Sequence, residues 1–219
     1  MRTDGPTDNP APLLRPFAER LNDGQAIAFP TETFYGLLAR IDRPAALARI
    51  FAWKGRPAQA ALPVIAADAA TARSLWRETP AAAARLIENF WPGPLTIVLP
   101  ASERWASSPA CGGTGNLGVR VPGSAAARGI AAMAGGALVA TSANPSGQPP
   151  AMDPATVRAY FGDEVAIAEG PALPPSRGST ILSLAEWPPR LLREGEVGRA
   201  AIEQILGVAL IENARGAKE

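Results

Sequence analysis

The sequence contains no histidine and only one cysteine, Cys111. Imidazole is the usual base at neutral pH and the commonest ligand of transition metals, so Ser-His-Asp, Cys-His and histidine-zinc chemistries are excluded. A single thiol forms neither an internal disulfide nor a four-thiolate metal site, which fits a reducing compartment and predicts a cytoplasmic protein. Any reaction must rely on positioning, on lysine and arginine charge, or on hard cations held by oxygen ligands, and this favours phosphate chemistry.

Long apolar runs and a marked charge excess are also missing. No stretch of about 18 uncharged apolar residues occurs, and no apolar segment follows the arginine near the start, so neither a membrane span nor a signal peptide is predicted. The net charge is only +1, from 21 Lys and Arg against 20 Asp and Glu. Nucleic-acid-binding proteins usually show a basic excess or cluster, so only local arginine placement bears on such partners.

What remains is the composition of one packed domain, with 219 residues of which 47% are hydrophobic. Short apolar runs of β type alternate with helical patterns, which predicts an α/β fold with a mostly parallel or mixed sheet covered by helices. We expect the folded domain at 13–207. A disordered segment is predicted at 1–12 and a C-terminal tail at 208–219.

The elements within this domain follow from apolar runs and helix-start signals. Strands are predicted at 25–29, 62–66, 95–99, 117–121, 137–141, 180–184 and 190–192. Helices are predicted at 44–53, 124–134 and 199–206, and after Thr79-Pro80 and Asp153-Pro154, where a capping oxygen precedes a proline at the first helical position.

Two segments place polar or charged groups at the ends of predicted elements. In AFPTETFYGLLAR, at 28–40, a strand runs into two threonines around a glutamate, and strand ends are where α/β sheets bind ligands. A turn whose hydroxyls cap the next helix is the alternative. In WKGRP, at 53–57, Lys54 and Arg56 surround a glycine at a predicted helix end, where they could bind a polyphosphate or act as helix-dipole partners.

Further segments add candidate groups. FWPGPLT at 90–96 offers no titrating group and is interpreted mainly as scaffold. Arg120, among small apolar residues, needs a carboxylate ligand or a structural salt bridge if it is buried. The end of ALVATSANPSGQP, at 137–149, suits an anion, although a plain polar turn uses the same residues. The remaining polar groups flank two strands, Ser179-Thr180 before one and Leu192-Arg193-Glu194-Gly195 after the other.

In their order and wording these segments resemble the YrdC family of threonylcarbamoyl-AMP synthases, over roughly residues 17–206. The matching segments are PTET-x-YG at 30–36, KGRP at 54–57, FWPGPLT at 90–96, GVRVP at 118–122, SAN-x-SG at 142–147, ST at 179–180 and LREG at 192–195. So many segments in one order are highly specific. The resemblance implies a YrdC-like twisted mixed sheet with flanking helices and a concave positive cavity, in the short, single-domain type of the family.

The resemblance also implies an activity. Members are nucleotidyltransferases that join L-threonine, bicarbonate and ATP into threonylcarbamoyl-AMP with release of pyrophosphate, for threonylcarbamoyladenosine modification of transfer RNA. Magnesium is implied as the cofactor that accompanies ATP. The implied partner is a downstream threonylcarbamoyl transferase machinery, and direct contact with tRNA or double-stranded RNA is left open.

Site residues carry over position by position. The catalytic residues, which also contact ATP, correspond to Lys54, Arg56, Ser142 and Asn144. The further ATP contacts correspond to Asn116, where the family often has threonine or serine, and Arg193. The threonine contacts correspond to Thr33, Tyr35, Arg120 and Ser179.

The chain departs from the family pattern at three positions outside the matching segments. Many relatives read N-P-L-I-V-H where this chain reads AALPVI, so Ala60 replaces an asparagine and Ile65 a histidine. Gly178 stands where a glutamate often precedes the ST pair. Two other functions stay open at this point: a noncatalytic RNA-binding protein of the same fold, and a carbamoyl-adenylate-forming relative, although such relatives usually sit in much longer chains.

Overall fold

A computed structural model describes residues 11–57 and 59–212. Within these residues the helices are α1 (Ala11–Asn22), α2 (Pro44–Lys54), α3 (Ala69–Ser74), α4 (Ala81–Phe90), α5 (Ala125–Met133), α6 (Pro154–Phe161) and α7 (Arg199–Leu206). The strands are β1 (Ile27–Pro30), β2 (Tyr35–Arg40), β3 (Val64–Ala66), β4 (Leu95–Pro100), β5 (Asn116–Arg120), β6 (Ala137–Ser142), β7 (Ala166–Ile167), β8 (Thr180–Ser183), β9 (Arg190–Arg193) and β10 (Ile211–Glu212). The predicted α/β class is confirmed.

The strands form one mixed sheet in the order β10-β9-β8-β4-β5-β3-β6-β2-β1-β7. Four neighbouring pairs are parallel, namely β7 with β1, β5 with β3, β8 with β4 and β10 with β9, and the others are antiparallel. β1 and β2 form a hairpin, and β2 pairs with β6 so that Gly36 lies opposite Ser142. The hairpin turn at 31–34 is therefore brought close to the end of β6.

One face of the sheet is covered by α2, α3, α4, α6 and α7, which contribute to a single apolar core. Alternate residues of each strand point into it, for example Leu95, Ile97 and Leu99 of β4. Each fully buried leucine or isoleucine contributes about 1.5–3 kcal/mol relative to an exposed one. This core fixes the sheet as a rigid platform.

The opposite face is covered only in part, by α1 and α5. These helices pack over β1, β2, β3 and β6, with Leu21 and Ile130 among their buried residues. Farther along the same face, β4, β5 and β8 present Thr96, Arg120 and Ile181, which line an open cavity. The uncovered part of this face therefore leaves polar side chains of central strands available to a ligand.

The seven predicted strands are all present, with bounds shifted by at most two residues. No strand was predicted after the PTET turn, where a following helix was the alternative left open. β2 lies there between β1 and β6 with its first five residues buried, and such strands lack the apolar-polar alternation that marks a half-buried one. Short elements were also missed, namely α3, β7 and β10.

The ends of the described fold lie outside the predicted domain bounds. α1 already begins at Ala11, and its buried residues Leu14, Ala18 and Leu21 attach it to the second core. At the other end, Leu210 is buried and β10 pairs with β9. The predictions for residues 1–10 and 213–219 lie outside the described residues.

One of the two predicted capping signals is confirmed and the other is wrong. Asp153 caps α6, its carboxylate accepting a hydrogen bond from Thr156 N at 2.7 Å, and Pro154 opens the helix. Before α4, the capping position is occupied by Pro80 itself, with ψ 157 and no side-chain cap. The extended backbone of Pro80 places Thr79 one residue too early to reach the helix N–H groups.

No helix in the described ranges is long and apolar enough to cross a membrane.

Candidate active site

The open cavity has a volume of about 510 Å³ and collects most of the predicted site residues. Its lining includes Thr33, Tyr35, Lys54, Arg56, Arg120, Ser142, Asn144, Ser179 and Arg193. Lys54, Arg56, Arg120 and Arg193 are its charged residues, and no carboxylate belongs to the described lining. The concave face is therefore positively charged, and it suits a ligand that carries several negative charges.

Lys54, the last residue of α2, is only 3% exposed and points at the end of β6. Its Nζ donates to Ser142 O at 2.6 Å, to Asn144 O at 2.9 Å and to Asn144 Oδ1 at 3.4 Å. Burial, and secondarily the charge of Arg56, lower the pKa of Lys54 from 10.5 to about 8. The ammonium is thus held by neutral oxygens, and no carboxylate in the described ranges forms an ion pair with it.

The glycine between the two cations allows the chain to leave α2 sharply. Gly55 ends the helix with φ 59, a left-handed conformation that glycine adopts without steric cost, and its N–H donates to Ala52 O. The turn places Arg56 on the cavity lining beside Lys54. The pair therefore lies at a helix end and also lines the cavity, and binding of a polyphosphate stays a prediction.

Asn144 organises the loop that follows β6. Its Nδ2 donates to Pro145 O at 3.0 Å and to Gln148 O at 2.7 Å, while Ser146 N donates to Lys54 O at 2.9 Å. The loop and the end of α2 therefore hold each other, which fixes Ser142 and the loop N–H groups at one end of the cavity. We call this end, formed by Lys54, Arg56, Ser142 and Asn144, the lysine end.

At the other end, Arg120 of β5 is 8% exposed and meets Glu32 of the hairpin turn, with Nη1 2.5 Å from Oε1. Burial lowers the pKa of Arg120, the charge of Glu32 opposes this shift, and the nearby charge of Arg193 adds to it. Of the two options for Arg120, the structural salt bridge is present, and a carboxylate ligand stays a prediction for a residue that also lines the cavity.

Hydroxyl groups surround this second end. Ser179 Oγ accepts from Thr96 Oγ1 at 3.0 Å and from Arg193 Nη2 at 3.2 Å, and Thr31 and Thr33 share a hydrogen bond of 3.1 Å. Arg193 also donates to Ser179 O at 2.9 Å. We call this end, formed by Thr33, Arg120, Ser179 and Arg193, the arginine end.

Two predicted residues are not placed as expected. Asn116 begins β5 opposite Pro100, at the end of that strand farthest from Arg120, and is not among the lining residues. Tyr35 borders the cavity, but its side chain is fully buried in the core of the other face. Its hydroxyl lies beside Gly170 and has no hydrogen-bond partner among the described residues. Burial raises the pKa of this phenol, and the charges of Glu169 and Asp153 add to the shift.

Other residues of the site were not singled out from the sequence. Thr96 belongs to a segment interpreted as scaffold, yet it alternates with buried Leu95 and Ile97 and therefore faces the cavity. Glu32 was part of the PTET motif without a role. A threonine inside an apolar strand was the available signal, because a strand residue between two core positions points to the opposite face.

At two positions where the chain departs from the family pattern, 65 and 178, apolar side chains occupy the available space. Ile65, at the position of the histidine, lines the cavity and packs in the second core. Gly178 has φ +78, and a Cβ there would lie 2.8 Å from Phe34 Cε2. The ring of Phe34 therefore occupies the space into which a side chain at 178 would point.

Comparison with known proteins gives the family. The model of the Sua5/yciO/yrdC family, described as "Telomere recombination", matches residues 19–195 of the chain. This chain belongs to that family. It is 42% identical, over 162 residues, to the threonylcarbamoyl-AMP synthase of Halorhodospira halophila, covering 70% of this chain and 83% of the relative. It is 37% identical, over 195 residues, to the threonylcarbamoyl-AMP synthase of Pyrococcus abyssi, covering 89% of this chain and 57% of that protein.

Solved structures of relatives agree with the fold. The crystal structure of P. abyssi Sua5 complexed with L-threonine matches with a TM-score of 0.83 at 36% identity, covering 91% of this chain and 58% of that one. The crystal structure of E. coli YciO matches with a TM-score of 0.76 at 22% identity, which supports the fold alone. The described fold of this family member therefore corresponds to a little over half of P. abyssi Sua5.

Proposed function

We propose that this chain synthesises L-threonylcarbamoyl-AMP from L-threonine, bicarbonate and ATP, releasing pyrophosphate, for the modification of adenosine in transfer RNA. The proposal rests on one cavity that contains four cations. Within the described part of the chain, the buried Lys54 is held by neutral oxygens and forms no ion pair, and Arg120 is paired with the carboxylate of Glu32. Relatives at 37% and 42% identity bear the name of this synthase.

The lysine end suits the ATP phosphates. In the proposed reaction, the threonine amine and bicarbonate combine to a carbamate with loss of water. A carbamate oxygen then attacks the α-phosphorus of ATP, and the bond from that phosphorus to the pyrophosphate oxygen breaks. Negative charge accumulates on phosphate oxygens, and Lys54 and Arg56 stabilise it with fixed positive charge. Because the hydrogen bonds to Ser142 and Asn144 hold the ammonium in place, little reorganisation accompanies the reaction.

The arginine end suits the amino acid. Arg120, Thr33 and Ser179 all line the cavity. We propose that the Arg120 guanidinium binds the threonine carboxylate and that the two hydroxyls contact the threonine side chain. Arg193, which donates to Ser179 O, is proposed to contact the nucleotide. The two substrates would therefore be aligned in one cavity by different residues.

Magnesium and the partners belong to the same proposal. Magnesium keeps several waters and usually binds through substrate phosphates, so we propose that it enters with ATP. Among the described residues, no group of three acidic, cysteine or histidine side chains could hold a metal ion. The product would pass to a threonylcarbamoyl transferase machinery acting on transfer RNA, in the cytoplasm.

Pyrophosphate release with each of the twenty amino acids, with and without bicarbonate, tests the proposal. Release should require ATP, L-threonine and bicarbonate together. Equal release with serine, alanine or no amino acid would contradict it. Binding of double-stranded RNA without pyrophosphate release would favour the noncatalytic alternative, which draws less support from the structure because phosphate-backbone binding uses exposed cations, and Lys54 and Arg120 are buried.

A further inference from the structure

Glu32 stands behind the cavity and contacts one of its cations. The residue is not part of the lining, yet its Oε1 lies 2.5 Å from Arg120 Nη1. Its other oxygen, Oε2, accepts a hydrogen bond from Ser124 N at 3.3 Å, at the start of α5. The carboxylate therefore joins three parts of the fold: the β1–β2 turn, β5 and the N-terminus of α5.

Packing also restricts the side chain of Glu32. A Cβ added to Gly123 would lie 3.4 Å from Glu32 Cγ, so the stem of the glutamate rests on this glycine. The side chain of Glu32 retains 23% exposure and that of Arg120 only 9%. The contacts with Ser124 and Gly123 thus hold the Glu32 carboxylate in place, and the salt bridge limits the movement of the Arg120 guanidinium.

Arg120 lies between Glu32 and the cavity. Its Nη1 contacts the carboxylate of Glu32, which is not part of the described lining, while Arg120 itself lines the cavity. A substrate carboxylate would therefore approach the guanidinium from the cavity while Glu32 keeps its place.

We propose that Glu32 is a positioning residue for amino-acid binding: it holds the Arg120 guanidinium in the orientation that receives the substrate carboxylate. This inference rests on the proposed function, because it assumes that Arg120 binds the amino acid. A binding residue whose geometry is fixed by a supporting hydrogen bond loses less freedom when the ligand arrives.

A competing role for Glu32 predicts the opposite change in threonine affinity. If the glutamate competed with the substrate carboxylate for Arg120, its removal would free the guanidinium and tighten threonine binding. If it positions Arg120, its removal should weaken threonine binding, and an isosteric amide that keeps an acceptor oxygen should restore most of it. Substitution therefore distinguishes the two roles directly.

The experiment compares wild-type protein with Glu32→Ala, Glu32→Gln and Glu32→Asp, by calorimetric titration with L-threonine and with ATP. Loss of a hydrogen bond to a charged group predicts that Glu32→Ala raises the threonine Kd about tenfold. The ATP Kd should not change, and Glu32→Gln should recover most of the threonine affinity. Asp42→Asn is the matched control, because it disrupts the Arg40–Asp42 ion pair of 2.6 Å outside the cavity; it should change neither Kd.

Unchanged or tighter threonine binding by Glu32→Ala would overturn the inference, as would an equal loss of ATP and threonine affinity. If Glu32→Ala does not fold, Glu32→Asp decides: its shorter side chain should weaken threonine binding alone, and wild-type binding would overturn the inference. Wild-type protein that releases pyrophosphate with threonine while these variants behave normally would leave the proposed function intact. Wild-type protein that neither binds threonine nor releases pyrophosphate would overturn both.

Discussion

The two ends of the cavity bear positive charge in different ways. At the lysine end, the buried ammonium of Lys54 is held by oxygens of Ser142 and Asn144, which are neutral, and its pKa is lowered to about 8. At the arginine end, the buried guanidinium of Arg120 is paired with the carboxylate of Glu32. One charge is therefore fixed by dipoles and the other by an opposite charge.

This difference corresponds to the two proposed ligands. A polyphosphate with several negative charges gains most from a cation that no carboxylate already neutralises. An amino acid brings a single carboxylate and needs orientation more than net charge, which a guanidinium fixed from behind provides. Substitutions at either end should therefore affect different ligands.

The largest effect should follow removal of the Lys54 ammonium. We expect Lys54→Met to reduce the rate of threonine-dependent pyrophosphate release on the order of 100-fold, because a fixed positive charge next to the reacting phosphate is lost. Initial rates at saturating substrates measure the effect. Arg158→Met, which removes a cation from a half-exposed ion pair with Glu169, is the control and should remain active. Comparable losses in both folded variants would contradict a special role for Lys54.

Substitution of Arg120 and of Arg56 should weaken the binding of different substrates. Arg120→Lys keeps the charge but loses the planar fork, and loss of one charge-assisted hydrogen bond predicts about tenfold weaker threonine binding. Arg56→Ala should instead weaken ATP use and leave threonine binding nearly intact. Calorimetric titration of each ligand against each variant measures both effects, and an Arg120→Lys protein with normal threonine affinity would show that the assignment is wrong.

The pH dependence should report on the lysine end. The chain has no histidine, so we expect no inflection from an imidazole in kcat/KM for ATP between about pH 6 and 7 once substrate ionisation is accounted for. It should fall above pH 8, since Lys54 with a pKa of about 8 loses its proton there. A profile that stays level through pH 9, or an inflection between pH 6 and 7 that belongs to an enzyme group, would contradict this assignment.

The free energy of unfolding should increase over the pH range in which activity falls. The pKa of Lys54 in the folded protein is lowered from 10.5 to about 8, so below pH 8 the buried, protonated ammonium destabilises the folded protein. As pH rises from 8 towards 9, the folded protein releases this proton first, and the contribution of Lys54 to the free energy of unfolding increases. Thermal unfolding measured alongside activity therefore separates loss of a proton from alkaline unfolding.

Local patterns were sufficient for most of the fold. Seven apolar runs became strands and the Asp153-Pro154 signal became a capped helix, because short-range sterics and capping decide these features. β2 was not recognised, since its burial depends on its neighbours β1 and β6 in the sheet. Strand order, and hence the open part of the second face, depends on long-range pairing that local periodicity does not contain.

The site residues were predicted from their resemblance to family motifs and not from physical patterns in the sequence. The predicted residues Lys54, Asn144, Arg120 and Ser179 all line one cavity. The resemblance also suggested Asn116, which the register of β5 against β4 places at the far end of the strand. The pairing of Glu32 with Arg120 joins residues 88 positions apart in sequence, so no local pattern could reveal it.

The smallest effect should follow a methyl group at Gly178, which adjoins Ser179 of the arginine end. Gly178→Ala forces a side chain onto a backbone with φ +78 and places its Cβ 2.8 Å from the Phe34 ring, which must shift. Gly113→Ala is the matched control, because Gly113 has φ +76 but open space around its Cβ position. Both variants should lose about 1 kcal/mol of unfolding free energy from backbone strain. Only Gly178→Ala should also weaken threonine binding, by less than Arg120→Lys, while its ATP affinity stays normal. Equal threonine affinity in the two variants would show that the contact between Phe34 and Gly178 does not shape the arginine end.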